Sequence, residues 1–279
     1  MSEIRKRLDE ITQNLLPPEY FAAERVSQQA QQRVSTLALP KQVDAELDPI
    51  DCGNISDEWL TQTIEYTQAT ETWDKQRIAL LALMRDARNR AQTLRQNAVP
   101  KILGALDEEL RRLLIEVQTV SDALGDADTA QAAVANDAGP QWKRLAELAD
   151  DYAELRAAQH QLMSPEIVFS AKADFGEEHA SDLYLKNLDD IWPAWRNPDT
   201  SNERVVNVNG AQHRSEPWPT DPTELLLWLV RSNAQPWIPN EQQLQRLRSD
   251  RAARANPTPK VIHGRTDLVN RPITLKGTA

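Results

Sequence analysis

A seven-residue repeat between residues 59 and 94 constrains the fold of this chain more than any other feature. Large or apolar side chains recur at every seventh position: Trp59, Tyr66, Trp73, Leu80, Ala87 and Leu94. A second series interleaves with the first: Thr63, Thr70, Arg77, Met84, Ala91 and Ala98. This period keeps one stripe of a helix against a neighbouring helix, so it predicts a long helix with a coiled-coil seam. We expect an antiparallel bundle rather than an isolated dimeric rod, with seam contacts made by Trp59, Tyr66, Trp73, Leu80, Met84 and Leu94.

Residues 1–55 are predicted to form short N-terminal helices followed by a loop. Ser2 precedes apolar residues at helical spacing, and Pro17-Pro18 ends that first helix. Pro18 suits the first turn of a second helix that runs to about residue 37. We expect its buried face to carry the residues Val26, Ala30, Val34 and Leu37.

Residues 56–163 are predicted to form a long helical coiled-coil hairpin. Ser56 is a good N-cap for the helix that carries the seam, and Pro100 predicts a kink or a break close to it. Apolar positions at helical spacing continue to Leu124, and a third long helix starts at Pro140 after a low-complexity connector. This helix should fold back against the segment that follows Pro100.

Residues 164–239 are predicted to form a small Trp- and Pro-rich α/β unit. Alternating apolar residues over 167–175 indicate a strand, and Asn209-Gly210 is typical of a hairpin turn. Asp221 is well placed to cap a helix. Trp218 and Trp237 neighbour prolines, and large amphipathic rings on a rigid backbone suit a docking surface. A small core built from bulky residues is the structural alternative.

Residues 240–279 are predicted to form a basic helix followed by an extended tail. This segment has a net charge of +5, whereas residues 1–239 have a net charge of −15. The candidate docking residues of the helix are Arg246, Arg248, Arg251 and Arg254. Arginines can contact nucleic-acid phosphates, but the acidic body favours an acidic protein surface as their partner. The fold class that emerges is mainly α: a long coiled-coil hairpin, then a small mixed α/β unit, then an extended basic C-terminal tail.

The sequence offers no recognisable catalytic, cofactor or metal site. Its four histidines are far apart, and its eight glycines include no phosphate-binding or dinucleotide-binding pattern. The acidic stretch around His179, with Glu178 and Asp182, is the best metal candidate, although an acidic helix start is the ordinary explanation for it. Cys52 is the only cysteine and has no visible general base beside it. We therefore expect no catalytic residue, no cofactor and no bound metal.

The chain also lacks the sequence features of secretion and of membrane insertion. Its N-terminus has no continuous apolar core, and its longest apolar cluster, residues 225–230, is far too short to span a bilayer. One cysteine cannot form an internal disulfide, so an oxidising compartment is not indicated. These features predict a cytoplasmic protein or one assembled into a virion.

Together these patterns indicate a non-enzymatic structural, assembly or adaptor protein. In layout, with acidic helices before a basic terminal segment, the chain is similar to phage scaffolding and minor virion proteins. That similarity implies coiled-coil self-association or a tight protein partner. Two alternatives remain: a nucleic-acid-associated protein that uses the basic C-terminal helix, and a metal-dependent enzyme around His179.

Overall fold

The chain is mainly helical, as the sequence predicts. A computed structural model describes six stretches of it: residues 2–44, 48–163, 180–195, 205–208, 211–214 and 216–255. Nine α-helices lie in these stretches: α1 (Glu3–Leu15), α2 (Pro18–Ser35), α3 (Pro49–Cys52), α4 (Asp57–Leu124), α5 (Ala130–Ala135), α6 (Gly139–Leu162), α7 (Leu188–Ile191), α8 (Pro222–Arg231) and α9 (Glu241–Ala255). Two 3₁₀ helices, Ala180–Leu183 and Pro193–Trp195, flank α7.

Side-chain caps form the helix starts that the sequence predicts. The hydroxyl of Ser2 accepts a hydrogen bond from the backbone N–H of Arg5, and Ser56 does the same for Trp59. The carboxylate of Asp221 accepts hydrogen bonds from the backbone N–H groups of Thr223 and Glu224 at the start of α8. Each cap satisfies backbone donors that have no partner within the helix.

The long helix α4 runs without interruption through Pro100, so the predicted break is wrong. Its 68 residues span about 100 Å. Proline removes one backbone donor and crowds the carbonyl four residues earlier, which weakens a helix but can be offset by packing. Here Ala98, Ile102 and Leu103, which surround the proline, are all buried against other helices. Tertiary contacts therefore hold the helix together where its local sequence favours an end.

Helix α2 packs antiparallel against the first part of α4. The guanidinium of Arg88 bonds to the side chains of Ser27 and Gln31, and further along the chain the N–H of Asp44 bonds to the amide oxygen of Gln62. As the chain continues beyond α2, the residues that it contacts therefore lie closer to the start of α4. We call residues 18–44 and 57–97 together the arm.

The covered face of α2 includes the predicted residues other than Val26. Ala30 is buried together with Ala23 and Ser27, Val34 and Leu37 are half-buried, and Val26 is 37% exposed. The buried residues meet a face of α4 that is also built of small residues, including Ala87 and Ala91. Small side chains allow two helices to approach closely, and this preference outweighs the larger apolar area of valine.

The remaining helices form what we call the body: α1, residues 98–163, the short helices around α7, α8 and α9. As predicted, α6 folds back against the second part of α4, and two apolar clusters lie along this hairpin. One cluster joins α4 and α6 to α7 and α8, with Leu145 and Leu226 fully buried. The other joins them to α1 and α9, with Leu106 at its centre.

A separate small α/β unit is not supported. The predicted strand over 167–175 lies outside the described residues. Among the described residues, the strands are β1 (Val205–Val208) and β2 (Ala211–Arg214), which pair antiparallel with Val205 opposite Arg214. Leu188 and Trp192 before these strands and Leu226 after them share an apolar cluster with α4 and α6, and so belong to the helical core. Beyond Ala255 the predicted extended tail lies outside the described residues.

Candidate functional site

The predicted seam lies on the sheltered side of the arm, but none of its large side chains is fully buried. Trp59, Tyr66, Trp73, Leu80, Met84 and Leu94 are all half-buried. The burial deepens along the helix: the seam alanines at positions 87, 91 and 98 are buried where α2 and the body cover them. The heptad period is thus real, but it is covered within the chain mainly over the second half of the arm.

Polar groups in the first half of the seam weaken it as an internal contact. The hydroxyl oxygens of Thr63 and Thr70 and the indole nitrogen of Trp73 are buried, and within the described chain they have no hydrogen-bond partner. A buried polar group without a partner costs about 1–3 kcal/mol. The Arg77 guanidinium lies 5.5 Å from the centre of the Trp73 ring, a cation–π distance. This part of the seam therefore has a mixed polar and aromatic character.

Aliphatic and aromatic side chains are exposed on both helices of the arm. On α4 these are Leu60 (44% exposed), Ile64 (56%), Ile78 (65%) and Leu83 (48%). On α2, Phe21 and Val26 are more than one-third exposed. A groove of about 420 Å³ lies between the two helices, and its lining includes Val26, Leu83 and Ala87. Leu60, Ile64 and Ile78 share one face of α4, whereas Leu83 borders the groove. Exposed apolar surface of this kind marks interaction sites.

Trp218 belongs to an aromatic cluster in the body. Its ring lies edge-on to Trp192, with centroids 5.7 Å apart, and 5.9 Å from the centroid of Trp228. Its indole N–H donates to Glu216 at 2.8 Å. Together with Tyr184 it lines a cavity of about 350 Å³. These contacts of Trp218 are typical of a residue packed against the core. Its predicted docking role remains a prediction.

Trp237 fastens the segment after α8 to the body. Its indole N–H donates to the carbonyl of Asp182 at 2.8 Å, and its backbone N–H donates to the carbonyl of Tyr184 at 3.1 Å. Its own carbonyl accepts from the guanidinium of Arg156. All three bonds are internal, so the rigid Pro-Trp-Ile-Pro connector serves to hold chain segments together.

Arg251 does not belong to a docking surface, which corrects the prediction for this residue. Its side chain has no exposed surface, and it pairs with the carboxylates of Asp182 and Asp189. Its guanidinium also lies 5.2 Å from the centre of the Trp195 ring. Although burial alone would lower it, the hydrogen bonds and charges of the two carboxylates raise the pKa of Arg251. The residue is therefore the anchor of α9 on the body.

The other three arginines of α9 differ in exposure. Arg246 and Arg254 are exposed, whereas Arg248 is half-buried. One of the four predicted phosphate contacts is therefore lost to the interior. This weakens the case for a basic nucleic-acid-binding face on the helix.

Arg156 and His160 on α6 form a second polar cluster that sequence reasoning missed. Arg156 is buried, donates to the carbonyls of Trp237 and Leu183, and lies between the rings of Tyr152 and Tyr184. The hydroxyl of Tyr184 lies 2.7 Å from Nε2 of His160. Burial, with a smaller effect of the Arg156 charge, lowers the pKa of His160, and burial raises the pKa of Tyr184. No spacing in the sequence marks these residues, because their partners come from chain segments far away.

The described residues contain no group of three or more side chains that could hold a metal ion. Of the predicted metal candidates, Glu178 and His179 lie outside the described residues, and Asp182 is engaged by Arg251. Cys52 is exposed at the end of α3. In the part of the chain that is described, no helix has both the length and the apolar character needed to cross a bilayer.

No family model matches this chain, and no curated protein and no solved structure is detectably similar to it. What defines the candidate site is therefore the geometry of the arm itself.

Proposed function

We propose that this protein is a non-enzymatic assembly protein that self-associates through its arm. The observation that carries the proposal is the row of exposed apolar residues on α4, with Ile64 and Ile78 both more than half exposed. Among the described residues, only α2 and the segment after it lie beside this part of α4, whereas the second part is packed on several sides. Burying such side chains against another molecule removes apolar surface from water and favours association.

The half-buried seam supports the same function. A helix whose heptad positions are filled by aromatic and small residues, and whose first half has mixed polarity, is suited to a specific and reversible contact. The body, by contrast, has its own apolar clusters and buried ion pairs. The role we propose for the body is to display the arm. The layout of acidic helices before a basic terminal segment, similar to that of phage scaffolding and minor virion proteins, agrees with an assembly role. A cytoplasmic or virion location belongs to the same proposal.

Sedimentation of the full chain over a range of concentrations tests this function. We expect a mass above the 31.6 kDa of one chain and a hydrodynamic radius larger than that of a sphere of the same mass. A variant with Leu60→Glu, Ile64→Glu and Ile78→Glu should shift the protein to a monomer, because charges at these positions oppose burial.

A variant of the body controls for the general effect of replacing exposed apolar residues by glutamate. Ile115→Glu with Val134→Glu changes two residues of the body that are each 70% exposed. This variant should associate as the wild type does. A wild-type chain that remains a monomer at every concentration would show the proposal to be wrong.

A further inference from the structure

The charges of the arm are segregated along α4. Residues 57–74 carry five acidic side chains and no basic one, giving −5. Residues 75–98 carry six basic side chains and one acidic one, giving +5. A single helix thus has an acidic half and a basic half of equal and opposite charge, which meet near its residue 75.

These charges are mostly available to another molecule. All twelve charged side chains of residues 57–98 are exposed. Within the described chain, ion pairs in this stretch join Lys75 to Glu71 at 3.5 Å and Arg85 to Asp86 at 3.4 Å. Both are pairs between exposed neighbours, whose contribution is small. Helix α2 does not neutralise the basic half, because its own side chains comprise two acidic and two basic residues.

We infer that the arm binds a second copy of this chain in antiparallel orientation, with a two-fold axis passing near Ile78. This inference rests on the proposed function and adds the partner, the direction and the register. An antiparallel copy places the acidic half of each α4 beside the basic half of the other. A parallel copy in register places like charges side by side along the whole contact and is disfavoured.

The register agrees with individual residues as well as with the totals. An axis at Ile78 brings Glu71 of one copy opposite Arg85 of the other, and at 3.6 residues per turn both lie on the same face of α4 as Ile78. Ile78 is 65% exposed and would meet its own symmetry mate at the centre of the contact. Leu60 and Ile64 lie on this face too, so the acidic half of each α4 contributes apolar surface. Such a two-fold contact uses the same surface on both subunits and closes on itself.

Charge reversal tests this arrangement with two complementary variants. The first carries Glu71→Lys, and the second carries Arg85→Glu. In each variant alone, like charges face each other twice across the axis, so we expect a dissociation constant raised about tenfold or more at low salt. An equimolar mixture of the two should form a heterodimer with an affinity within about threefold of the wild type.

A charge-matched control and the salt dependence complete this experiment. Glu108→Lys alters the net charge of the chain by the same amount as the first variant but at an exposed position of the body, and should leave association unchanged. Salt at about 1 M, where the Debye length is roughly 3 Å, should weaken the wild-type dimer and reduce the effect of each reversal. Circular dichroism of each variant confirms that the helices remain folded.

Disulfide trapping tests the direction of the helices. In a Cys52→Ser background, Ile78→Cys should give a covalent dimer under mild oxidation, because the two positions meet at the axis. Leu60→Cys should not, because the two copies of residue 60 would be about 50 Å apart, far beyond the span of a disulfide.

The outcomes separate the two proposals. An oligomer that ignores the charge reversals, or one that Leu60→Cys traps as readily as Ile78→Cys, overturns the antiparallel arrangement and leaves self-association standing. A monomer under all conditions overturns both.

Discussion

The arm and the body use the same residue types for opposite purposes. In the body, charges are buried in pairs, as in Arg251 with Asp182, and leucines such as Leu106 have no exposed surface. In the arm, all charged side chains of α4 are exposed, and aliphatic residues such as Ile78 face solvent. The single helix α4 is mostly exposed in the arm and becomes largely buried where it enters the body. The difference teaches that burial along a single helix is set by its neighbours and not by the helix itself.

The largest effect should come from breaking the buried ion pair of the body. Arg251→Met removes the guanidinium that pairs with the buried carboxylate of Asp182, and we expect a loss of about 3–5 kcal/mol in the free energy of unfolding. Urea denaturation measures it. Arg254→Ala, on the exposed side of the same helix, is the control and should stay within about 0.5 kcal/mol of the wild type.

A double variant sharpens this result. With Asp182→Leu added to Arg251→Met, no unpaired charge of that pair remains, so the loss should be smaller than the sum of the two single losses. Additive losses would mean that the two side chains contribute independently. That result would contradict the conclusion that charges in the body, unlike those of the arm, are stabilised as buried pairs.

The second effect compares the same substitution at two places on α4. Leu106→Ala in the body should cost about 2–5 kcal/mol, because it leaves a cavity among fully buried neighbours. Leu80→Ala in the seam should cost about 1 kcal/mol at low protein concentration, because that leucine is only half-buried. Both exchanges replace leucine by alanine within one helix, so their helix propensities cancel in the comparison.

Protein concentration distinguishes the exposed face of the arm from both leucines. If the arm self-associates through the face that carries Ile78, the cost of Ile78→Ala should grow as the concentration rises, whereas the costs of Leu80→Ala and Leu106→Ala should not. Equal costs at low concentration would contradict the division into arm and body.

The smallest effect concerns pH and lies in the body alone. Burial lowers the pKa of His160 below the 6.5 of an exposed histidine. The folded chain therefore binds this proton less readily than the unfolded chain does. The contribution of His160 to stability is complete above pH 6.5 and is lost as the pH falls towards the folded pKa.

Replacing the histidine removes this dependence. His160→Gln keeps a hydrogen-bonding group near Tyr184, so unfolding of this variant should change less steeply between pH 7 and about pH 5 than unfolding of the wild type. Thermal denaturation across this range measures the difference. Histidines of the arm cannot confuse the result, because residues 18–44 and 57–97 contain none.

Local signals explain why most of the helices were predictable. Ser56 and Asp221 act through hydrogen bonds to residues two or three positions away, so their capping role is visible in the sequence. The same holds for the heptad seam and for the hairpin of α4 with α6, because apolar period depends only on spacing along a helix. Pro100 shows the limit: its local preference was overcome by packing on both sides.

The polar anchors were not predictable for the opposite reason. Arg251 had the appearance of one arginine among four on a basic helix, yet its partners lie more than 60 positions earlier in the chain. Arg156 donates to the carbonyl of Trp237, which lies 81 positions later in the chain. Pairing between residues so far apart depends on how the whole chain folds. Composition and side-chain periodicity therefore do not predict these pairs.

By itself, the sequence determined that this chain forms long helices, where most of them begin, and which stripe of α4 is sheltered, because hydrogen bonds and side-chain period act over a few residues. Only the tertiary structure decided that α2 takes its place beside that stripe, that α4 continues past Pro100, and that Arg251 turns inward. Those outcomes depend on contacts between distant segments, whose free energies are settled when the whole chain packs.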